Sequence, residues 1–335
     1  MRIFYGICGE GLGHTGRSLA IINELKKQHE VHIFTFKDAY KYLCGTPNLH
    51  HIPGLTLTTK NNTVDIKTTL KNALKFKKQI PDVVTDLYRK LDRPNLCITD
   101  FEPVVPRLSQ IYNVPCISID NQHKFCLSPK GLPLKLKLYS FVAGKFINWF
   151  IPDTVLNIIT TFHECDNCTN LVNPVIRQEL INITPYPQPF ILVYIKECLE
   201  NTILPILKDI PEENFIIYGS TRTTNDQNLI FKEISPAFAQ DLANCQKVIC
   251  TAGNQLIGEA KYFSKPVFTI PLPNQTEQAV NAFYVKNDSI GTSCNIKCLS
   301  TEKIRKFIET AYHIDTVPNG LDQIMELLNP YLYNV

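Results

Sequence analysis

Residues 248–282 read VICTAGNQLIGEAKYFSKPVFTIPLPNQTEQAVNA. A β-branched run ends at Thr251-Ala252-Gly253-Asn254, where a helical pattern begins. A second apolar run, Val267–Ile270, ends in the loop Asn274–Gln278 and is followed by another helical pattern. Strand, loop and helix repeated in this order indicate parallel α/β layering. In such sheets ligands bind at the carboxyl ends of the strands. The free amides and dipole of the helix after Gly253 suit a phosphate group. Glu259 near that helix would suit a ribose diol, and Glu277 and Gln278 would suit sugar hydroxyls. Taken alone, the same pattern also describes an ordinary structural αβ repeat.

The layering extends outward in both directions. In the second half the strand candidates are Phe190–Ile195, Phe215–Tyr218, Val248–Thr251, Val267–Ile270 and Thr292–Asn295. They alternate with helices near Leu199–Ile206, Pro236–Asn244, Asn254–Phe263, Thr276–Val285 and Thr301–His313. In the first half, strands are expected at Arg2–Cys8, Val31–Phe36, Leu96–Thr99 and Cys116–Ile119, with helices at Thr15–Gln28 and Val64–Lys78. The segment Asn173–Pro189 holds four prolines without a clean period and reads as a linker. The expected architecture is α/β, with a Rossmann-like domain over 1–172, a linker over 173–189 and a second Rossmann-like domain over 190–335. A central cleft between them would hold the ligand.

Composition limits the function classes. The chain has 335 residues, 44% hydrophobic and 19% charged, an ordinary globular balance. No apolar run reaches the ~20 residues of a spanning helix, and the N-terminus lacks the zones of a signal peptide. Twelve cysteines without a secretion signal are expected to be reduced thiols in a cytoplasmic protein. The net charge of +3 hides an asymmetry: residues 1–170 hold 21 basic and 14 acidic residues, the remainder 13 and 17. The first half therefore favours an anionic partner, although neither a nucleic-acid module nor a high pI accompanies it, so nucleic acid is not an expected partner.

The first strand runs into FYGICGEGLGHTGRS, residues 4–18. Gly11, Gly13 and Gly16 formally fit a dinucleotide fingerprint, and Asp38 lies about the right distance beyond. Glycines let the backbone approach a ligand, and the helix that follows offers free N–H groups. His14 opens that helix at the cleft edge, and histidine is the side chain best suited to move a proton near neutral pH. A helix-capping histidine would look the same in sequence. Asp100 and Glu102, in CITDFEP, could orient His14 or contact a substrate hydroxyl. Asp120, Asn121, Gln122 and His123, in CISIDNQH, form a second polar cluster at the same edge.

Taken together, GEGLGH (Gly9–His14), TDFEP (Thr99–Pro103), SIDNQH (Ser118–His123), EISPAF (Glu233–Phe238), TAGNQLIGEA (Thr251–Ala260) and KPVFTIPLPNQTEQAVNA (Lys265–Ala282) resemble the GT-B glycosyltransferases. The resemblance is to the family 28-like group that includes the lipid II N-acetylglucosaminyltransferase and its uncharacterised bacterial and archaeal relatives. It spans about residues 1–290 in the family's order, and the last two motifs carry most of its specificity. It implies an inverting hexosyl transfer from a nucleotide sugar, with UDP the expected nucleotide, to the hydroxyl of a glycan or lipid-linked acceptor. It further implies that His14 is the general base or a substrate-orienting residue; by their strand-end positions Asp100 and Glu102 join it as catalytic candidates, and Asp120, Asn121, Gln122 and His123 are expected on the acceptor side. Donor binding falls to Gly11, Gly13, Ile234 at the base, Thr251, Gly253 and Asn254 at the diphosphate, Glu259 at the ribose, and Gln275, Glu277 and Gln278 at the sugar. Two departures stand out: the loop after Tyr218-Gly219 lacks the usual glycine-serine-rich turn, and Glu277 replaces a glutamine.

No Asp-x-Asp triplet occurs, so no metal or other cofactor is expected. A dinucleotide-dependent oxidoreductase using the glycine loop, and a non-catalytic sugar-nucleotide sensor, are the rival readings. Cys165/Cys168 and Cys294/Cys298 lie in different halves, which disfavours a four-ligand zinc site. Lys67, Lys71, Lys75 and Lys78 recur at helical spacing, and Leu132–Phe150 interleaves apolar residues with lysines. Each reads either as an ordinary packed or solvated helix or as part of a peripheral membrane surface.

Overall fold

The computed structural model describes residues 1–56, 58–60, 63–127, 131–165 and 170–333. The chain divides into two compact units, and their boundaries differ from those expected. Unit 1 holds residues 1–58, 65–175 and 319–335; unit 2 holds 59–64 and 176–318.

Unit 1 is built on β1 (Arg2–Ile7), α1 (Leu12–Leu25), β2 (Glu30–Thr35), α2 (Lys37–Tyr42) and β3 (Leu49–His51). The short hairpin β4 (Thr59–Lys60) and β5 (Thr63–Val64) is assigned to unit 2. Unit 1 resumes with α3 (Ile66–Lys90), β6 (Leu96–Asp100), α4 (Val104–Tyr112), β7 (Cys116–Asp120), α5 (Leu134–Phe150), β8 (Leu156–Thr160) and β9 (Leu171–Val172). Its seven strands pair in the order β3-β2-β1-β6-β7-β8-β9, all parallel. Alternation along β1 explains the two layers. Ile3, Tyr5 and Ile7 join α1 on one face, and Phe4 joins Phe34, Phe76, Val104 and Phe150 on the other.

The chain ends in a helix, Leu321–Tyr333, that returns to unit 1. Its buried Leu321, Ile324, Leu328 and Leu332 complete the layer formed by α1. Gly320 makes the re-entry possible, since a Cβ there would lie 2.0 Å from the Asn173 carbonyl oxygen. The expected second domain, 190–335, therefore cedes this stretch to unit 1.

Unit 2 consists of α6 (Gln178–Ile181), β10 (Ile191–Tyr194), α7 (Glu200–Lys208), β11 (Phe215–Tyr218), β12 (Leu229–Phe231), α8 (Ala237–Asn244), β13 (Lys247–Cys250), α9 (Asn254–Tyr262), β14 (Val267–Thr269), α10 (Thr276–Asn287), β15 (Gly291–Ser293) and α11 (Thr301–Glu309). The terminal helix is α12. The strands follow the order β12-β11-β10-β13-β14-β15, again all parallel. The expected linker is not a free connector. Residues 176–189 belong to unit 2, where Tyr186 and Gln188 donate backbone N–H bonds to the Oδ1 and main-chain oxygen of Asn244.

Candidate functional site

In unit 1 the site begins at Gly11, the residue preceding α1, whose φ of 73° favours glycine. Its N–H donates to Asp38 Oδ2 at 3.2 Å, and the Asp38 N–H donates to the Gly9 carbonyl. The loop therefore has its own internal acidic partner. Asp38, which the dinucleotide reading needs for a ribose, is occupied in pinning Gly11. Gly9 admits no side chain, because a Cβ would lie 2.1 Å from Phe36 O.

One turn into α1, His14 Nδ1 lies 2.7 Å from Asp100 Oδ1 at the end of β6. Arg17 Nη2, which only donates, stands 2.7 Å from the same Nδ1, but the carboxylate only accepts; with the ring proton directed to Asp100, Nδ1 carries it and Nε2 presents its lone pair. Gln122 Nε2 stands 3.4 Å from that Nε2. Asp100 is fully buried and receives three further donors: Arg17 Nε at 2.7 Å, Arg17 Nη2 at 2.5 Å and Ser18 Oγ at 3.0 Å. Burial opposes ionisation of this carboxyl, but the Arg17 charge, His14 and their hydrogen bonds outweigh it and hold the group below its ordinary value. His14, Arg17 and Ser18 share one helical face, and all three reach the Asp100 carboxylate.

Glu102 receives a different task from the one expected. Its Oε1 accepts the Val104 N–H at 2.6 Å and its Oε2 the Val105 N–H at 2.9 Å, capping α4. It is fully buried against Gly6, where a Cβ would meet its Oε2 at 2.6 Å. Burial pushes its carboxyl up to about 7, against the pull of those two amides. It touches neither His14 nor solvent.

The second cluster forms a compact loop. Asp120, fully buried, accepts the His123 N–H at 2.9 Å and Ser118 Oγ–H at 2.7 Å, and lies 2.7 Å from His123 Nδ1. Burial raises the Asp120 carboxyl, yet His123 and these bonds bring it well below the usual range. The His123 ring loses to burial but gains more from Asp120, which raises it. Asn121 and Gln122, both buried, lie between Asp120 and His123 along the chain. Lys124 is completely buried beside them, 3.4 Å from His163 Nε2.

In unit 2, β13 delivers Thr251, Gly253 and Asn254 to the start of α9. Gly253 has ordinary φ, and a Cβ there would meet nothing within 4 Å, so the space before the helix is open. Asn281 of α10, fully buried, donates to Ala252 O at 2.9 Å and fixes this turn. Ile234 is 48% exposed, available to a flat apolar ring.

Glu259 does not present a free carboxylate. It is fully buried, accepts Arg177 Nε and Nη2 at 2.7 Å each, and accepts Gln255 Nε2 at 2.8 Å. A direct ribose contact would have to displace a bidentate ion pair. Gln278 is likewise committed, its Oε1 taking the Leu272 N–H at 2.7 Å to close the loop before α10. Gln275 precedes α10 with its amide oxygen buried and without a partner among the described residues, and Glu277 is half-buried in the first turn. Arg177, Arg17 and Asn281 were not anticipated. Arg17 had a signal, three residues beyond His14 on one helix face, whereas Arg177 lay inside the presumed linker.

The Cys294/Cys298 pair stays open: Lys303 Nζ approaches both Cys294 Sγ and the Cys298 carbonyl. Cys168 lies outside the described residues.

The profile of glycosyl transferase family 1 matches residues 1–311. The chain belongs to this family. It is therefore a glycosyltransferase, and the fold agrees. A Methanosarcina mazei protein described as an uncharacterized glycosyltransferase is 24% identical over 98% of both chains. Among solved structures, Acinetobacter baumannii MurG superposes with a TM-score of 0.60 at 12% identity, covering 98% of this chain and 99% of that one. The glycosyltransferase VinC, solved in complex with DTDP, gives 0.59 at 12% identity over 99% and 95%. The two parallel sheets of the transferase thus have the GT-B arrangement of elements, and the expected fold and enzyme class stand.

Proposed function

We propose that the transferase moves a hexosyl group from a nucleotide sugar to an acceptor hydroxyl by a single inverting displacement without a metal ion. The observation that carries this reading is the His14–Asp100 pair, whose Nδ1–H bond leaves Nε2 as a proton acceptor at the mouth of the glycine loop. The acceptor O–H gives its proton to Nε2 as its oxygen forms the bond to the anomeric carbon. The bond from that carbon to the diphosphate oxygen breaks, and the nucleoside diphosphate leaves with the electron pair. Asp100 stays ionised and steadies the imidazolium. The N-terminus of α9, with empty space beside Gly253, would receive the leaving diphosphate at the positive end of the helix dipole. Ile234 would face the base, Thr251, Gln275 and Glu277 the rest of the donor, and Arg177 with Glu259 would shape the ribose side. Asn121, Gln122 and His123 would meet the acceptor, a glycan or lipid-linked hydroxyl. The DTDP of VinC supports a nucleoside diphosphate in this fold; UDP is our choice for the natural donor.

Thermal-shift titration with UDP-, TDP- and GDP-sugars and with NAD(P) tests the reading. A nucleotide sugar should raise the melting temperature with saturable affinity, and the transfer product should carry inverted anomeric configuration by NMR. Stabilisation by NAD(P) alone, or retained configuration, would contradict it.

A further inference from the structure

We propose that α5 and the first half of α3 form a surface that lies in the plane of an anionic lipid bilayer. Helix α5 is apolar on two opposite faces. Ser140, Gly144, Ile147 and Phe150 are buried inward, and a Cβ on Gly144 would lie 2.3 Å from the Phe125 carbonyl oxygen. The opposite stripe, Leu134, Leu138, Phe141 and Val142, is 59–84% exposed, and Trp149 continues it at 37%. These residues follow one another at i, i+4, i+7, i+8 and i+15, a single helical face. A soluble helix would place polar groups there.

The charges on the two helical segments themselves have one sign. Helix α5 contains three lysines and no acidic residue, and Ile66–Ile80 of α3 contains five lysines and no acidic residue. The two helices are neighbours: Lys77 Nζ sits 3.9 Å over the Trp149 ring and donates to the Trp149 carbonyl at 3.2 Å. Leu70 and Leu74 of α3 add exposed apolar surface at 47% and 49%. Exposed aromatic and aliphatic side chains flanked by lysines match the interfacial zone of an anionic leaflet. No helix among the described residues is long and apolar enough to cross a membrane, so the surface would rest on the bilayer. A second copy of the chain is a poorer occupant, because a two-fold contact would set these lysines against themselves.

The chain's only tryptophan, Trp149, supplies the test. Phosphatidylglycerol vesicles at low salt should shift its emission to the blue and carry the protein down on sedimentation; phosphatidylcholine vesicles should do neither. Leu138→Ser with Phe141→Ser should lower partitioning at least about tenfold. Lys135→Gln, Lys137→Gln and Lys145→Gln should each lower it about fivefold, less at high salt. Far-ultraviolet circular dichroism verifies that these exposed substitutions leave the fold intact. Absence of binding to phosphatidylglycerol, equal binding to both lipids, unchanged binding by the variants, or a concentration-dependent dimer that hides Trp149 would each overturn the proposal.

Discussion

Four donor groups converge on the Asp100 carboxylate, and together they determine what His14 can do. Asp100→Asn keeps the size but offers an amide in place of one accepting oxygen. It should release the His14 ring and leave Arg17 without its counter-charge in a buried position, costing about 3–5 kcal/mol of stability. Chemical denaturation measures this, and a loss below about 1 kcal/mol would show the network to be slack. Glu102 supplies a separate signal, in pH. Its folded value of about 7 stands above the ordinary 4.5, so the folded state holds the proton more tightly. Its contribution to stability is complete below pH 4.5 and is lost as pH rises through 7. Wild type should therefore lose on the order of 2–3 kcal/mol from this group between pH 5 and 8. Glu102→Gln should flatten that part of the profile; an identical slope in the variant would remove Glu102 as its source. His14 and Asp100 were legible because they end a strand and open a helix. The true role of Glu102 was not, since capping and catalysis draw on the same residue type in the same place.

At the scale of elements, the α9 turn separates support from contact. Gly253→Ala puts a methyl group into open space at an ordinary φ, so the melting temperature should hardly change. The methyl would stand in front of the helix N-terminus, however, and nucleoside diphosphate affinity should fall about tenfold or more. Titration calorimetry decides the point: unchanged affinity would move the diphosphate away from α9. Asn281→Ala should act in the opposite sense, losing about 1–3 kcal/mol of stability because Ala252 O is left buried without its donor. The helix-strand alternation from Val248 to Ala282 was readable because short β-branched or apolar runs, buried on both faces, alternate with longer helical stretches. Strands β3, β9 and β12, of two or three residues each, were too short to show a period. Helix α3 was expected to stop at Lys78 but continues to Lys90 through Pro81, because the apolar face of Ile80, Val83, Val84 and Leu87 still packs on unit 1.

For the molecule as a whole, the main departure is the return of the chain to its first unit. Helix α12 fills the layer over α1, and no local pattern in residues 311–320 announces that destination, because the partners are some 300 residues away in sequence. Truncation after Pro318 should therefore unfold unit 1 selectively. Limited proteolysis should cut the truncated chain within 1–175 while sparing the unit 2 segment, whereas equal resistance of both would contradict the assignment. The central claim is that His14 takes the proton of the attacking hydroxyl, and water can serve as that acceptor. Slow hydrolysis of the nucleotide sugar by wild type and His14→Ala, followed together with nucleotide affinity, tests it most directly. The account predicts a fall of about 10²–10⁴-fold in hydrolysis with nearly unchanged nucleotide affinity; wild-type rates in the variant would contradict it.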